Sequence, residues 1–153
     1  MRFTQAELQQ FRDRTVPDLL PDPLRLLFIG INPGLWTAAT GAHFARRGNR
    51  FYPALHRAGL TRHLIDASGG YKAEDLAELH ARGIGISNLV PRASARADEL
   101  TAEEFHEGAQ RLDRLVRAER PAADQDRVGL GVLGESQFRH ADHYGSLTAS
   151  RTA

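Results

Sequence analysis

Residues 24–55 read LRLLFIGINPGLWTAATGAHFARRGNRFYPAL, and this stretch carries the strongest indications of both fold and function. Its first part, residues 24–30, is an apolar run interrupted only by Arg25, which is typical of a buried parallel strand. A long loop-like segment rich in Gly and Arg follows it. A fold gains little stability from so long an interruption beside a buried strand, so we expect this loop to bind something.

The rest of the chain alternates between predicted helices and strands. Thr4 with Glu7, and Thr101 with Glu104, have the spacing of capping boxes, which predict helix starts. The helix that begins at Thr101 is predicted to end near 119. The other predicted elements are a proline-rich extended segment at 17–23, helices at 49–58 and 73–82, strands at 84–90 and 128–133, and a short helix after 134. The alternation predicts an α/β fold, a three-layer sandwich with a mostly parallel central sheet flanked by helices.

The bulk properties are those of one ordinary globular domain of 153 residues. Within it we distinguish an N-terminal helix and proline-rich lead-in (1–23), a core (24–140) and a polar tail (141–153) that is expected to be disordered. The absence of cysteine excludes disulfides, thiolate nucleophiles and cysteine-ligated metal sites. The sequence shows neither a signal peptide nor a membrane-spanning run, which predicts a cytoplasmic protein.

Arginine accounts for nearly all of the positive charge, because Lys72 is the one lysine among 20 basic residues. Several arginines lie within a short span after the Gly-Ile-Asn-Pro-Gly segment at 30–34, among them Arg46, Arg47 and Arg50. The guanidinium group suits phosphate better than a point charge does, so the cluster indicates an anionic partner beside the loop. The alternative is that these side chains simply form a solvated helix face.

The pentapeptide Gly30-Ile31-Asn32-Pro33-Gly34 stands where ligands bind in such sheets, beyond the carboxyl end of a strand. Gly30 and Gly34 permit unusual backbone angles and close approach, Pro33 stiffens the turn, and Asn32 presents a short amide. The same tripeptide Asn-Pro-Gly is also an ordinary turn sequence, so the pentapeptide alone leaves both interpretations open.

The surrounding residues resemble a known family, the mismatch-specific uracil/thymine DNA glycosylases of the uracil-DNA glycosylase superfamily. The resemblance covers roughly residues 24–140 and depends on the order of several motifs, which is more specific than a generic nucleotide-binding loop. The residues that carry it are GINPG, Leu35, Gly41, Phe44-Ala45, Asn49-Arg50-Phe51, Gly85-Ile86-Ser87-Asn88-Leu89-Val90, Arg92, Glu99-Leu100, Gly108 and Val132-Leu133-Gly134.

The resemblance implies hydrolysis of the N-glycosidic bond of a uracil flipped out of DNA. Asn32 would orient the attacking water through its amide oxygen, without acting as a strong base. Backbone N–H groups near Ile31 and Phe44 would donate to the uracil oxygens, and the Phe44 ring would stack on the base. Thr37 is a candidate to lie near C5 of the base. Phe44 as a purely structural core aromatic is the alternative.

Two further polar residues are candidates for the site. Asn88 closes the second predicted strand and could pair with one oxygen and the N3–H of uracil, or could instead only cap the turn that follows. Asp98 precedes the second capped helix, where its default role is local hydrogen bonding, but a carboxylate near the site would activate water better than Asn32. Arg46, Arg47 and Arg50 are the predicted phosphate-binding residues.

We expect no metal and no cofactor, because the seven histidines are scattered without metal-ligand spacing. Glycosylases that also nick DNA usually form a Schiff base through an amine. Lys72 is remote in sequence from both motifs, so a monofunctional enzyme is predicted. The expected partner is DNA containing G·U or G·T mismatches or single-stranded uracil, bound by a monomer that is nucleoid-associated when on DNA. Thymine and damaged pyrimidines are further candidate bases.

The sequence departs from the family after His140, where the second family motif, a loop that supplies the wedge for the flipped base, is not recognisable. A missing final strand and wedge are therefore expected, through truncation or a shifted reading frame. The first alternative function is accordingly a catalytically weak or inactive relative that binds DNA. The second is an unrelated α/β protein that holds a nucleotide phosphate, although no Walker-type Lys-Ser/Thr follows the loop.

Overall fold

The computed structural model describes residues 2–119 and 129–133, and it contains a parallel three-stranded sheet. The strands are β1 (Leu26–Gly30), β2 (Ile84–Asn88) and β3 (Gly129–Leu133), in the order β2-β1-β3. In the register, Gly30 is opposite Asn88 on one side and Leu133 on the other. The two candidate segments at the ends of β1 and β2 are therefore brought to the same edge of the sheet.

Five α-helices and one short 3₁₀ turn lie within the described residues. Threonine side chains cap the first and last helices in the predicted capping boxes with Glu7 and Glu104. Gly83 ends the fourth helix with a left-handed φ of 66°, as the sequence predicts. The elements are α1 (Gln5–Gln9), α2 (Leu35–Thr40), α3 (Phe51–Arg57), α4 (Ala73–Arg82), the 3₁₀ turn (Ala97–Glu99) and α5 (Ala102–Ala118).

Helices cover both faces of the sheet, which confirms the predicted three-layer α/β sandwich. On one face, Ile84 and Ile86 of β2 pack in a buried cluster with aromatic residues of α3 and with Leu79 of α4. On the other face, Leu27 and Ile29 of β1 pack with apolar side chains of α5. Phe28 of β1 packs against the first cluster, whereas Leu27 and Ile29 belong to the second, so alternate residues of β1 face opposite layers, as the period of a strand requires.

The contact between α5 and the end of β2 is unusually close. A Cβ atom on Gly108 would lie 2.1 Å from the carbonyl oxygen of Leu89, so only glycine fits there. Leu89 directly follows Asn88, and this contact fixes α5 against the strand end that carries one of the candidate site residues. The glycine therefore helps to place the site.

The structure corrects the sequence-based account of the long loop. Residues 35–40 form a helix, α2, within the segment predicted as loop-like throughout. Three predicted elements are longer than those in the structure: β1 begins at Leu26 rather than 24, β2 ends at Asn88 rather than 90, and α3 spans Phe51–Arg57 rather than 49–58. The predicted bounds of α4, 73–82, are confirmed. The predicted helix after 134, the predicted tail and the region where a second family motif is not recognisable lie outside the described residues. Within the described ranges, no helix is long and apolar enough to cross a membrane.

Candidate active site

A cavity of about 360 Å³ lies at the carboxyl ends of β1 and β2. Its wall is formed by the GINPG segment, α2, the loop from His43 to Asn49, the end of β2 and residues of the N-terminus. It is lined by Phe3, Gln5, Leu8, Gly30, Ile31, Asn32, Pro33, Gly34, Leu35, Trp36, Thr37, His43, Phe44, Arg46, Arg47, Asn49, Asn88, Ala95 and Ala97. The structure therefore brings most of the sequence-predicted site residues together around one space.

Asn32 is oriented by acceptors that surround its amide nitrogen. Three acceptors share the two hydrogens of Nδ2: the Oγ of Ser94 at 2.7 Å, the carbonyl oxygen of Arg92 at 3.0 Å and that of Pro33 at 3.2 Å. Carbonyl oxygens can only accept, so the nitrogen of the amide must face this side. The amide oxygen, which has no partner among the described residues, is left for a ligand in the cavity.

The segment that receives Asn32 is itself held in place. Ser94 is fully buried, and its Oγ donates to the carbonyl oxygen of Arg96 at 2.7 Å, which leaves a lone pair for Asn32. The backbone N–H of Ser94 donates to the carbonyl oxygen of Pro33 at 3.2 Å, and Ser94 forms a parallel bridge with Gly34. GINPG and residues 92–94 thus form one hydrogen-bonded unit.

Asn88 is buried at the end of β2 and contacts a neutral histidine. The Nε2 of His43 lies 2.8 Å from the carbonyl oxygen of Pro17, which requires the hydrogen on Nε2. Its Nδ1 is then an acceptor, and the Nδ2 of Asn88 donates to it at 3.3 Å. Burial lowers the pKa of His43, which keeps the ring neutral. The remaining N–H and the oxygen of Asn88 have no partner among the described residues.

A polar network behind Asn88 fixes its backbone. The guanidinium of Arg111 on α5 donates to the carbonyl oxygen of Asn88 and pairs with Asp18 at 2.9 Å. The hydroxyl of Ser87 donates to the same aspartate at 2.8 Å. Contacts from two other segments, at Asp18 and at Arg111 of α5, therefore hold the end of β2 beside the cavity.

Gly30 allows Asn88 and Phe44 to approach β1. A Cβ atom on Gly30 would lie 2.6 Å from the Oδ1 of Asn88 and 3.5 Å from the Phe44 ring. Gly30 is therefore needed for close approach. Gly34 has an ordinary φ of −74° and is the N-terminal cap of α2. Neither Gly30 nor Gly34 has the left-handed φ that the sequence led us to expect of loop-shaping glycines.

Phe44 lines the cavity and also packs against Phe51, with ring centroids 4.2 Å apart. Its φ of 53° lies in the left-handed region, which costs a non-glycine residue about 1–2 kcal/mol. Such strain persists only where the surrounding structure imposes it. The ring therefore belongs both to the apolar core and to the wall of the cavity, and the two roles considered for it, core aromatic and stacking surface, are not exclusive.

Two tyrosines, the buried Tyr52 and the partly buried Tyr71, hold the backbone of His43, the residue before Phe44. The hydroxyl of Tyr52 donates to the carbonyl oxygen of His43 at 2.8 Å, and the N–H of His43 donates to the hydroxyl of Tyr71 at 3.2 Å. The two hydroxyls lie 2.7 Å apart, so that of Tyr71 donates to that of Tyr52. Burial raises the pKa of Tyr71 to about 12, so both phenols keep the protons that this chain of hydrogen bonds needs.

The other predicted residues occupy different places. Thr37 is buried on α2 and, like Ile31, lines the cavity. Arg46 and Arg47 are exposed and line its mouth, whereas the exposed Arg50 stands at the N-terminal cap of α3 and does not line it. Asp98 lies in the 3₁₀ turn, is largely exposed and pairs with Arg96. It is not among the described residues that line the cavity, and local pairing is the role the structure shows for it.

Sequence reasoning did not identify the supports of these residues. Ser94 and the carbonyl of Arg92 lie about 60 positions from Asn32 in sequence, and no local pattern indicates their contact. For His43, which contacts Asn88, the sequence gives one weak indication: the residue directly precedes Phe44 of the family motif. Among the described residues, no cluster of three or more His, Asp or Glu side chains could hold a metal ion.

A comparison with known protein families identifies the class of protein. Residues 17–124 match the family described as the uracil DNA glycosylase superfamily, a stretch that is well over half of the chain. The protein belongs to the uracil-DNA glycosylase superfamily. Membership implies a DNA substrate and glycosylase activity, the hydrolysis of the base–sugar bond, on uracil-type lesions.

Proposed function

We propose that this protein is a monofunctional DNA repair glycosylase that removes uracil from G·U mismatches and from single-stranded DNA. G·T mismatches and damaged pyrimidines are further candidate substrates, as in the mismatch-specific family that the motifs resemble. The observation that carries the proposal is the engagement of the Asn32 nitrogen by three acceptors, since it leaves the amide oxygen for a water molecule in the cavity.

In the proposed reaction, the oxygen of Asn32 accepts a hydrogen bond from the attacking water and orients it toward C1′ of the sugar. An amide is too weak a base to remove the proton outright, so its contribution is positioning. The barrier is lowered mainly by stabilising the departing uracil anion with hydrogen-bond donors. Ordered donors suit this role, because they need no reorganisation during the reaction.

Asn88 is the proposed reader of the base. With one N–H committed to His43, the other N–H and the oxygen can bond one carbonyl oxygen and the N3–H of uracil together. Because His43 is neutral and accepts from Asn88, it fixes which way the amide faces. We further propose that the Phe44 ring stacks on the flipped base, that N–H groups near Ile31 and Phe44 donate to its oxygens, and that Thr37 lies near its C5.

Arg46, Arg47 and Arg50 are the proposed phosphate contacts. All three are exposed, and none forms an ion pair with another described residue. Lys72, the one lysine, precedes α4 and is not among the residues that line the cavity, which favours a reaction without a Schiff base. We further propose that the protein acts as a monomer in the cytoplasm, where it binds nucleoid DNA.

A gel assay of uracil excision tests the proposal. Labelled DNA with a single uracil is incubated with the protein, and abasic sites are revealed by alkali. Because flipping costs least for a base that is already loosely paired, we expect single-stranded uracil to react first, then G·U, then A·U. Strand cleavage without alkali would contradict the monofunctional assignment. Binding without any excision would instead identify a DNA-binding relative that has lost catalysis.

A further inference from the structure

The first residues of the chain lie outside the stretch that matches the superfamily, which begins at residue 17. We call residues 2–16 the N-terminal arm. The arm contains α1 and packs on the site: the Phe3 ring lies 5.0 Å from that of Trp36, and Leu8 is buried against Leu35 and Ala93. Phe3, Gln5 and Leu8 line the cavity itself.

The arm is also hydrogen-bonded to the segment that holds Asn32. The N–H of Asp13 donates to the carbonyl oxygen of Ala93 at 2.9 Å, and the N–H of Ala93 donates to that of Arg14 at 2.8 Å. Thr15 forms an antiparallel bridge with Arg92. These bonds fix the backbone between Arg92 and Ser94, where two of the three acceptors of Asn32 are located.

Ion pairs reinforce the same junction. The guanidinium of Arg92 contacts Asp13 at 2.7 Å and reaches Glu104 of α5 at 2.6 and 2.9 Å with two of its nitrogens. Arg12 pairs with Glu99. Arg92 therefore joins the arm to α5 through its side chain, while its carbonyl oxygen accepts from Asn32.

We propose that the N-terminal arm is a positioning element of the active site, which orients Asn32 by holding residues 92–94 in place. The inference rests on the proposed role of Asn32 in excision. Asn32 would thus depend on a part of the chain that the superfamily match does not include. Arm residues act here through Asn32 and do not touch the reacting atoms.

Asp13 offers a matched pair of variants at one position. Its φ of 64° suits glycine, and its N–H is needed for the bond to Ala93. Asp13→Gly keeps both and removes only the carboxylate. Asp13→Pro can have neither this φ nor an N–H, so it breaks the junction. Each variant is made in the full chain, alone and together with Asn32→Ala.

The first readout is the single-turnover rate of uracil excision at saturating protein. We expect Asp13→Pro to slow excision about tenfold to a hundredfold, as misplaced groups do. Asp13→Gly should stay within about threefold, the effect of losing one exposed ion pair. When Asn32 is already replaced by alanine, adding Asp13→Pro should slow excision by less than about a further twofold. An undiminished loss there would overturn the inference, since the arm would then not act through Asn32.

The second readout does not need activity. Hydrogen exchange of the Asn32 side-chain amide is followed by NMR, with Asn32→Ala identifying the signal. The amide should be protected in the natural chain and in Asp13→Gly, and exposed in Asp13→Pro. Protection that survives in Asp13→Pro would overturn the inference. Absence of excision by the natural chain would reject the proposed function alone, and the exchange measurement would still decide the role of the arm.

Discussion

Replacing Gly30 with alanine should damage the site more than the fold. The added Cβ would lie 2.6 Å from the Oδ1 of Asn88, which is 0.8 Å inside the 3.4 Å at which ordinary contact begins. The Phe44 ring, at 3.5 Å, can stay in place. The amide of Asn88 must therefore shift by nearly an ångström, and its 3.3 Å contact with His43 is lost.

Two magnitudes follow for Gly30→Ala. Overpacking of this kind reduces the free energy of unfolding by about 1–3 kcal/mol. A displacement of about 1 Å in a group that holds the substrate can cost about a hundredfold in rate. We therefore expect a modestly lower melting temperature and a loss of excision far larger than the stability change explains, measured as single-turnover rates on single-stranded uracil at a temperature where the variant is folded.

Gly85→Ala is the matched control, because Gly85 lies on the neighbouring strand and away from the cavity. There the new Cβ would meet Leu24 at 2.5 Å and the carbonyl oxygen of Leu19 at 3.0 Å, a comparable clash within the apolar layer. This variant should lose stability but keep its rate per folded molecule. Equal rates for the Gly30 and Gly85 variants would refute the argument that Asn88 reads the base.

Three further predictions concern base stacking, pH and salt. Phe44→Ala should weaken binding of the flipped base by about 1–3 kcal/mol, measured by inhibition with free uracil, and a lower melting temperature with unchanged inhibition would refute stacking. Because burial lowers the pKa of His43, the unfolded chain binds this proton more readily, so the free energy of unfolding should fall as the pH drops below about 6.5. His43→Gln should remove that part of the pH dependence in urea titrations, and an unchanged profile would contradict it. Affinity for uracil-containing DNA should fall with salt, and replacing Arg46 and Arg47 by Gln should reduce the log–log slope by about two, whereas an unchanged slope would exclude phosphate contacts.

Local patterns in the sequence were enough to predict the layers of the fold. The apolar run at 24–30, the capping boxes at Thr4 and Thr101 and the glycine that ends α4 each act over a few residues, so their signals are readable without the structure. Helix α2 was missed because its sequence, LWTAAT, contains two β-branched threonines and follows a glycine cap with no side-chain bond. Short helices of this kind are stabilised by packing more than by propensity.

The site was predictable only as a set of residues, and its arrangement required the structure. Asn32 stood out because it follows β1, and Asn88 because it lies at the end of β2. The acceptors that orient Asn32 and the histidine that orients Asn88 come from distant segments, and such pairings leave no periodicity or spacing in a single sequence. The same holds for the N-terminal arm, whose contacts with residues 92–94 join distant parts of the described chain.

The most direct test of the account compares the excision rate of the natural chain with that of Asn32→Ala on single-stranded uracil. Asn49→Ala is the control, because Asn49 also lines the cavity but its oxygen accepts from the N–H of Phe51 at 2.8 Å. Loss of the positioned oxygen of Asn32 should raise the barrier by about 2.7 kcal/mol or more, roughly a hundredfold in rate, with little change in melting temperature. Asn49→Ala should retain most of the activity. An Asn32→Ala variant that excises uracil at the natural rate would remove Asn32 from the mechanism and contradict the account.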